Sequence, residues 1–142
     1  AETHAAIRVS DLPVIDAVPG QIRQVFQNLI SNALKFSKPG EKPVIEVSGA
    51  LIGHKSIDAP ADEAGEYMRI VVKDNGIGFD EKFLDRIFII FQRLHPREKY
   101  EGTGIGLAIT KKIIDKHGGL ITANSKENHG SSFILILPVK QV

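Results

Sequence analysis

Three polar side chains with helical spacing are the first candidates for chemistry. Asn28, Asn32 and Lys35 are four and three residues apart, which places them along one stripe of a helix. Amide oxygens can bind a hard cation such as Mg²⁺, which needs few protein ligands when phosphates and water complete its coordination shell. A lysine ammonium beside them could bind phosphate. An asparagine pair alone is more often exposed or capping, so other features must support a site.

Two glycine-rich segments add further candidates. Asp74 opens the segment DNGIG after a strand-like run, where its carboxylate could accept a hydrogen bond from the exocyclic amine of a base. Asn-Gly is typical of a hairpin turn, but residues 79–91 do not alternate like a returning strand. The segment GTGIG at 102–106 precedes a predicted helix, whose N-terminus could bind an anion. It is neither a dinucleotide-binding fingerprint nor a P-loop, because no βαβ unit surrounds it and Gly-Lys-Ser/Thr is absent.

Residues 79–101 lie between the two glycine-rich segments and carry basic side chains beside Phe83, Phe88 and Phe91. Structureless loops longer than about 12–15 residues are usually lids, binding loops or disordered segments. Each basic residue taken singly is better explained as part of a solvated surface. Because glycine-rich segments flank the whole stretch, we interpret it as a nucleotide lid.

Hydrophobic periodicity predicts the elements that position these groups. Helices are predicted at Gln21–Phe36 and Leu107–His117, with His117 as a C-terminal cap before two glycines. The predicted strands are Ala6–Val9, Val14–Ala17, Val44–Leu51, Tyr67–Lys73, Leu120–Asn124 and Ser132–Leu137. Residues 53–66 are expected to form a solvent-exposed hairpin loop with no assigned function. The predicted fold is an α+β two-layer sandwich, with helices on one face of a mainly antiparallel sheet.

Composition limits the function classes. The chain has 142 residues, 42% hydrophobic and 25% charged, which fits one globular domain spanning 1–142. Lys+Arg 18 against Asp+Glu 17 gives no general electrostatic reason to bind nucleic acid or an anionic membrane. The absence of cysteine excludes disulfides, thiolate zinc sites and cysteine nucleophiles. Without a long apolar run or a secretory signal, the default location is cytoplasmic. The abrupt start indicates a fragment of a longer protein.

Taken in chain order, these clusters resemble the catalytic and ATP-binding domain of bacterial sensor histidine kinases, in the GHKL superfamily shared with gyrase-type ATPases. The resemblance covers residues 6–138 and implies the Bergerat ATP-binding fold. Its motifs are an N box at 24–36, a first glycine box at 74–79, an F box at 87–91 and a second glycine box at 102–107. Residues 91–94 and 100–104 are similar to those of kinases that follow phytochrome-like or PAS sensor modules.

The resemblance implies ATP and Mg²⁺ as cofactors and a role for each matched residue. Asn32 is implied as the magnesium ligand, with Asn28 supporting the metal-bound phosphates or water. Lys35 and Arg93 are implied to reach phosphate oxygens, and Asp74 to accept a hydrogen bond from the adenine amino group. The remaining implied nucleotide-binding residues are Phe36, Gly76, Gly78, Phe91, Gly102, Thr103, Gly104, Gly106 and Leu107.

The reaction and its partners are also implied by the resemblance. Gyrase-type ATPases carry a glutamate general base where this chain has Asn28, which favours phosphotransfer over hydrolysis. No histidine here matches the family's acceptor motif, so the phosphoacceptor is expected on a dimerising helical hairpin preceding residue 1. A response regulator receiver domain would act downstream, with a monomeric catalytic domain in a homodimeric parent and no nucleic-acid partner. A GHKL-type ATPase, a serine/threonine-directed kinase and a degenerate interaction module remain alternatives.

Overall fold

The computed structural model describes residues 6–9, 15, 17–78, 106–126 and 129–140. Within them the elements in chain order are β1 Ala6–Val9, α1 Pro19–Lys35, β2 Val44–Ile52, β3 Tyr67–Asp74, α2 Gly106–Lys116, β4 Leu120–Ser125 and β5 Ser131–Pro138. The predicted helices and five of the six predicted strands lie within two residues of these bounds at either end. The predicted α+β class is confirmed.

The strands form one mixed sheet with the order β1-β2-β3-β5-β4. The pairs β2–β3, β3–β5 and β4–β5 are antiparallel, whereas β1 pairs in parallel with β2. The two central strands, β3 and β5, therefore come from opposite halves of the sequence. The mainly antiparallel sheet expected from the sequence is confirmed.

One face of the sheet packs against the helices. On this face, neighbouring strands pair in register along the row Val47, Val72, Phe133 and Ala123, and all four side chains are buried. Helix α1 contributes its buried residues at four-residue spacing: Val25, Leu29 and Ala33. Fully burying a large apolar side chain contributes about 1.5–3 kcal/mol relative to exposure. This packing fixes the height of both helices above the sheet.

The helix ends follow from local sequence. Pro19 lies in the first turn of α1, where a missing N–H costs no hydrogen bond. Helix α2 ends with Gly118 at φ +73, and the N–H groups of Gly118 and Gly119 donate to the carbonyls of Asp115 and Ile114. This pair of bonds is a Schellman motif, which places His117 at the C-cap position as predicted.

The second face of the sheet is partly covered by the loop between β2 and β3. Ala59 is buried against Ile52 and Ile136, and the Arg69 guanidinium donates to the carbonyls of Ile57 at 3.0 Å and Ala59 at 2.6 Å. The loop was expected to be simply solvent-exposed, which is wrong at its centre. The small apolar side chain of Ala59 fills the space over two isoleucines, and an arginine from the sheet holds the loop backbone.

The predicted strand Val14–Ala17 is wrong where the structure describes it. Ile15 and Ala17 are not in a strand, and Ile15 packs against the main core. The physical reason is the parallel pairing of β1 with β2. Because β1 pairs in parallel with β2, its partner comes from a distant part of the sequence and not from a hairpin with residues 14–17, and Ile15 instead packs, partly buried, against the core.

Candidate nucleotide-binding site

Asp74 ends β3 on the helix-covered face, continuing the alternation of the buried residues Ile70 and Val72. Its Oδ1 accepts hydrogen bonds from the N–H of Gly76 at 2.8 Å and of Ser131 at 3.3 Å. Burial raises the pKa of this carboxyl, and the two N–H donors partly oppose that effect. Its Oδ2 accepts no hydrogen bond from the described part of the chain, so this oxygen can receive a donor from a ligand.

Gly76 allows the end of α1 to approach the residues that follow Asp74. A Cβ on Gly76 would lie 2.4 Å from the Phe36 carbonyl oxygen. That carbonyl accepts the N–H of Ile77 at 2.9 Å. The glycine therefore makes room for protein backbone, and the contact places the last turn of α1 beside Asp74.

Gly78 and Gly130 bring the β4–β5 turn against the same segment. Gly78 has φ +65, and a Cβ there would lie 2.2 Å from the Lys126 carbonyl oxygen. Gly130 has φ +84, and its Cβ would lie 2.1 Å from the Asp74 carbonyl oxygen. Any side chain at either position would force the two segments apart. Sequence analysis missed Gly130 and Ser131, because their role depends on a contact across more than fifty residues.

Asn75 explains why the Asn-Gly pair is not a hairpin turn. Its side-chain Oδ1 accepts the N–H of Val44 at 2.8 Å, and its Nδ2 donates to the Lys42 carbonyl at 3.1 Å. The β2–β3 ladder ends at Ile45 and Asp74, so this amide replaces the next pair of backbone bonds. The backbone of β3 is thereby free to leave the sheet immediately after Asp74. Asn75 was not among the predicted site residues, although asparagine commonly imitates a backbone turn.

The predicted stripe on α1 lies partly against α2. Asn28 is half-buried, and its Nδ2 donates to the hydroxyl of the fully buried Thr110 at 3.3 Å. Asn32, one turn later, is half-buried, and Lys35 is exposed in the last turn. The stripe thus runs from the helix–helix contact toward the end of α1 that lies beside Asp74. Thr110 was not predicted as a partner of Asn28, because the sequence shows it only as a small residue on a mainly apolar helix.

Comparison with known proteins decides the family. Residues 17–141 match the family described as histidine kinase-, DNA gyrase B- and HSP90-like ATPase. The chain belongs to this family. We refer to it below as the HATPase domain.

Individual relatives agree with that assignment. The HATPase domain is 44% identical to phytochrome-like protein Cph1 of Synechocystis over 97% of its length and 17% of that protein. It is 38% identical to sensor histidine kinase WalK of Bacillus subtilis, over 85% of the chain and 18% of WalK. Its fold matches the crystal structure of full-length ShkA in complex with AMPPNP with a TM-score of 0.72 and 28% identity, covering 99% of this chain and 26% of ShkA.

The comparisons confirm the expected sensor kinase family, the Bergerat-type fold and the similarity to phytochrome-like kinases. The domain is homologous to ATP-binding catalytic domains of sensor histidine kinases. It spans less than a fifth of the curated relatives it matches.

The structure tests the placement of only some predicted site residues. It brings Phe36, Gly76 and Gly78 together around Asp74, and Asn28 against α2. Gly106 is the first residue of α2, and Leu107 packs partly against the main core. The predicted lid at 79–101 and the residues Phe91, Arg93, Gly102, Thr103 and Gly104 lie outside the described residues.

Two further observations bear on cofactors and location. The described part of the chain contains no cluster of three or more His, Cys, Asp or Glu side chains suited to a metal ion. The side-chain amide oxygens of Asn28 and Asn32 on α1, together with phosphate oxygens of a nucleotide, are a donor set that fits Mg²⁺. Neither of the two helices in the described residues is long and apolar enough to cross a membrane.

Proposed function

We propose that the HATPase domain binds ATP with Mg²⁺ and transfers the γ-phosphoryl group to a histidine on a separate domain. The observation that carries this proposal is Asp74, a half-buried carboxylate with one oxygen held by two backbone N–H groups. The family assignment and the AMPPNP complex of ShkA support the same nucleotide. The domain would serve two-component signalling, as catalytic domains of sensor histidine kinases do.

Adenine recognition is assigned to Asp74. Its Oδ2 would accept a hydrogen bond from the exocyclic amino group, while Oδ1 stays fixed by Gly76 and Ser131. Guanine carries a carbonyl oxygen at the equivalent ring position, and two acceptors facing each other repel. Burial strengthens this choice, because a mismatched polar pair loses its water without gaining a hydrogen bond.

The phosphate side of the site is assigned to the stripe on α1 and to the second glycine box. Asn32 would ligate Mg²⁺ with support from Asn28, and Lys35 and Arg93 would bind phosphate oxygens. Backbone N–H groups of Gly102, Gly104 and Gly106 would bind the phosphates at the start of α2. When bound, Mg²⁺ supplies charge neutralisation on the phosphates. Phe36, Phe91, Thr103 and Leu107 would complete the nucleotide contacts.

Phosphotransfer is favoured over hydrolysis by the lack of a carboxylate at Asn28. An amide cannot take a proton from water, whereas a histidine acceptor is itself a sufficient nucleophile. His117 is unsuited as the acceptor, because it is only 3% exposed and both ring nitrogens contact backbone groups. We therefore place the acceptor on a dimerising helical domain of a homodimeric parent. A response regulator receiver domain in the cytoplasm would be the downstream partner.

The test is calorimetric titration of the domain with ATP, with and without Mg²⁺. Saturable binding that Mg²⁺ strengthens, and that Asp74→Asn abolishes, supports the proposed site. Mixing the domain with an acceptor domain and labelled ATP should then label a histidine. No ATP binding by the wild type would overturn the proposal, and steady phosphate release by the domain alone would indicate an ATPase instead.

A further inference from the structure

The β4–β5 turn is closed by two facing serines. Ser125 and Ser131 are cross-strand partners on the helix-covered face, and their hydroxyl oxygens are 3.1 Å apart. The Ser125 hydroxyl also donates to the Gly130 carbonyl at 2.9 Å. The Lys126 N–H approaches the same carbonyl at 3.5 Å. The shorter of the two bonds to this carbonyl comes from Ser125.

The Gly130 carbonyl and the Ser131 N–H belong to a single peptide plane. In a trans peptide the two groups point in opposite directions and rotate together. Ser125 holds the carbonyl end, and the N–H end donates to Asp74 Oδ1 at 3.3 Å. Fixing one end of this plane therefore fixes the other.

The same peptide cannot move closer to the end of β3. The Gly130 backbone already lies so close to the Asp74 carbonyl that a Cβ would be 2.1 Å from it. Rotation of the peptide plane about the line joining its two Cα atoms would turn the Ser131 N–H away from Asp74. The hydroxyl of Ser125 opposes that rotation.

We propose that Ser125 is a positioning residue for base selection: its hydroxyl orients the Gly130–Ser131 peptide, which holds Asp74 with Oδ2 directed to the adenine amino group. This rests on the proposed ATP site. Ser125 itself is not proposed to touch the nucleotide. Without its hydroxyl, the carboxylate can turn, adenine loses a fixed acceptor, and guanine meets less repulsion.

The test compares Kd values for ATP and GTP, both with Mg²⁺, in the wild type and in matched serine variants. Ser125→Ala should weaken ATP binding about threefold to tenfold, as expected for one lost hydrogen bond, with GTP binding changed less. Ser125→Thr keeps a hydroxyl and should restore the ATP:GTP ratio. Ser131→Ala keeps the backbone N–H and should have a smaller effect than Ser125→Ala.

Ser132→Ala is the matched control, because Ser132 pairs with Lys73 and Asn124 on the opposite face. It should leave the ATP:GTP ratio unchanged. Hydrogen exchange of the Ser131 amide gives a readout without nucleotide, and Ser125→Ala should accelerate it while the fold is retained. An unchanged ATP:GTP ratio in Ser125→Ala, with wild-type ATP binding intact, overturns this inference alone. No ATP binding by the wild type overturns the proposed function as well.

Discussion

The Asp74 carboxylate experiences two opposing influences. Burial raises its pKa, because the charged form loses water, and the N–H groups of Gly76 and Ser131 stabilise the charged form in part. The net pKa lies above the ordinary value of 3.8. The folded state therefore binds this proton more tightly than the unfolded state does, and ionisation at neutral pH costs folding free energy.

Asp74→Asn should separate stability from binding. The amide removes the desolvated charge and keeps an oxygen for the two N–H donors, so the free energy of unfolding at neutral pH should equal or exceed that of the wild type. The difference should shrink as the pH falls through the raised pKa, since Asp74 then becomes neutral. Urea denaturation at several pH values measures this, and a variant less stable than the wild type at neutral pH would contradict it.

ATP affinity should fall on acidification at a higher pH than an ordinary aspartate would require. Only the ionised carboxylate is a full acceptor for the adenine amino group, and its pKa is raised by burial. Kd for ATP measured from neutral pH downward should rise before the ordinary value of 3.8 is reached. A pH titration of ATP and Mg²⁺ without protein accounts for protonation of the nucleotide itself. A flat wild-type profile through this range would show that Asp74 does not carry the contact.

Residue type and spacing made Asp74, Gly76 and Gly78 candidates, and the family resemblance implied their place in a nucleotide site. The same reasoning could not find Ser125 or Ser131, because serine has no special local pattern at a strand end. Their importance comes from one peptide plane that meets Asp74 only after the sheet has formed. Long-range backbone contacts of this kind leave no periodic signal in the sequence.

At the level of elements, glycines determine how closely the segments around the site approach. Gly78 and Gly40 both have positive φ, but only Gly78 has backbone in the space of its missing Cβ. Comparing substitutions at Gly40 and Gly78 therefore separates the free-energy cost of a left-handed backbone from the cost of a steric clash.

Gly78→Ala should destabilise the domain more than Gly40→Ala. Gly40→Ala should cost about 1–2 kcal/mol, the penalty for a left-handed alanine. Gly78→Ala adds a clash with the Lys126 carbonyl and should cost about 2–5 kcal/mol and weaken ATP binding. Chemical denaturation of both variants gives the comparison. Equal losses of unfolding free energy in the two variants would mean that the β4–β5 turn can move away from residue 78 at no energetic cost.

The side chain of His117 links the end of α2 to the start of α1. His117 at the end of α2 contacts the Ile113 carbonyl through Nδ1 at 2.8 Å, and its Nε2 accepts the N–H of Val18 at 3.1 Å. Val18 is the N-cap of α1 and makes no side-chain cap. The hydrogen bonds place the ring proton on Nδ1, and the imidazole accepts the N–H of the N-cap residue, which has no acceptor within the helix.

His117→Leu should destabilise the domain by about 1–3 kcal/mol, because it leaves the Val18 N–H without its acceptor. His54→Leu, at an exposed position in the β2–β3 loop, is the control and should change stability little. Thermal denaturation of both variants measures the difference. A His117→Leu protein as stable as the control would show that the link between the helices contributes nothing.

Most elements could be predicted because their signals are local. The buried positions of α1 recur at helical spacing, and β3 alternates along its whole length. Val14–Ala17 carries the same β-branched signal, yet its fate depended on whether a neighbouring strand was available. Because β1 pairs in parallel with β2, which lies more than thirty residues away, the local sequence could not predict the conformation of residues 14–17.

On the scale of the whole molecule, the site forms only where the N-terminal and C-terminal halves of the chain pack together. The first half supplies α1, β2 and β3, and the second supplies α2, β4 and β5. Asp74 comes from the first half and its Ser131 donor from the second. The base site is therefore complete only when β3 has paired with β5.

That central pairing has a consequence for how the chain reaches its fold. β2 with β3, and β4 with β5, are local hairpins, whereas Tyr67 and Lys73 pair with Pro138 and Ser132 across roughly 60–70 residues. The hairpins can therefore form early, and their union should limit the folding rate. Loop-closure entropy grows only with the logarithm of length, about 0.6 kcal/mol per doubling. Insertions in the connection between β3 and α2 should accordingly slow folding only slightly, which leaves evolution free to vary that connection in length.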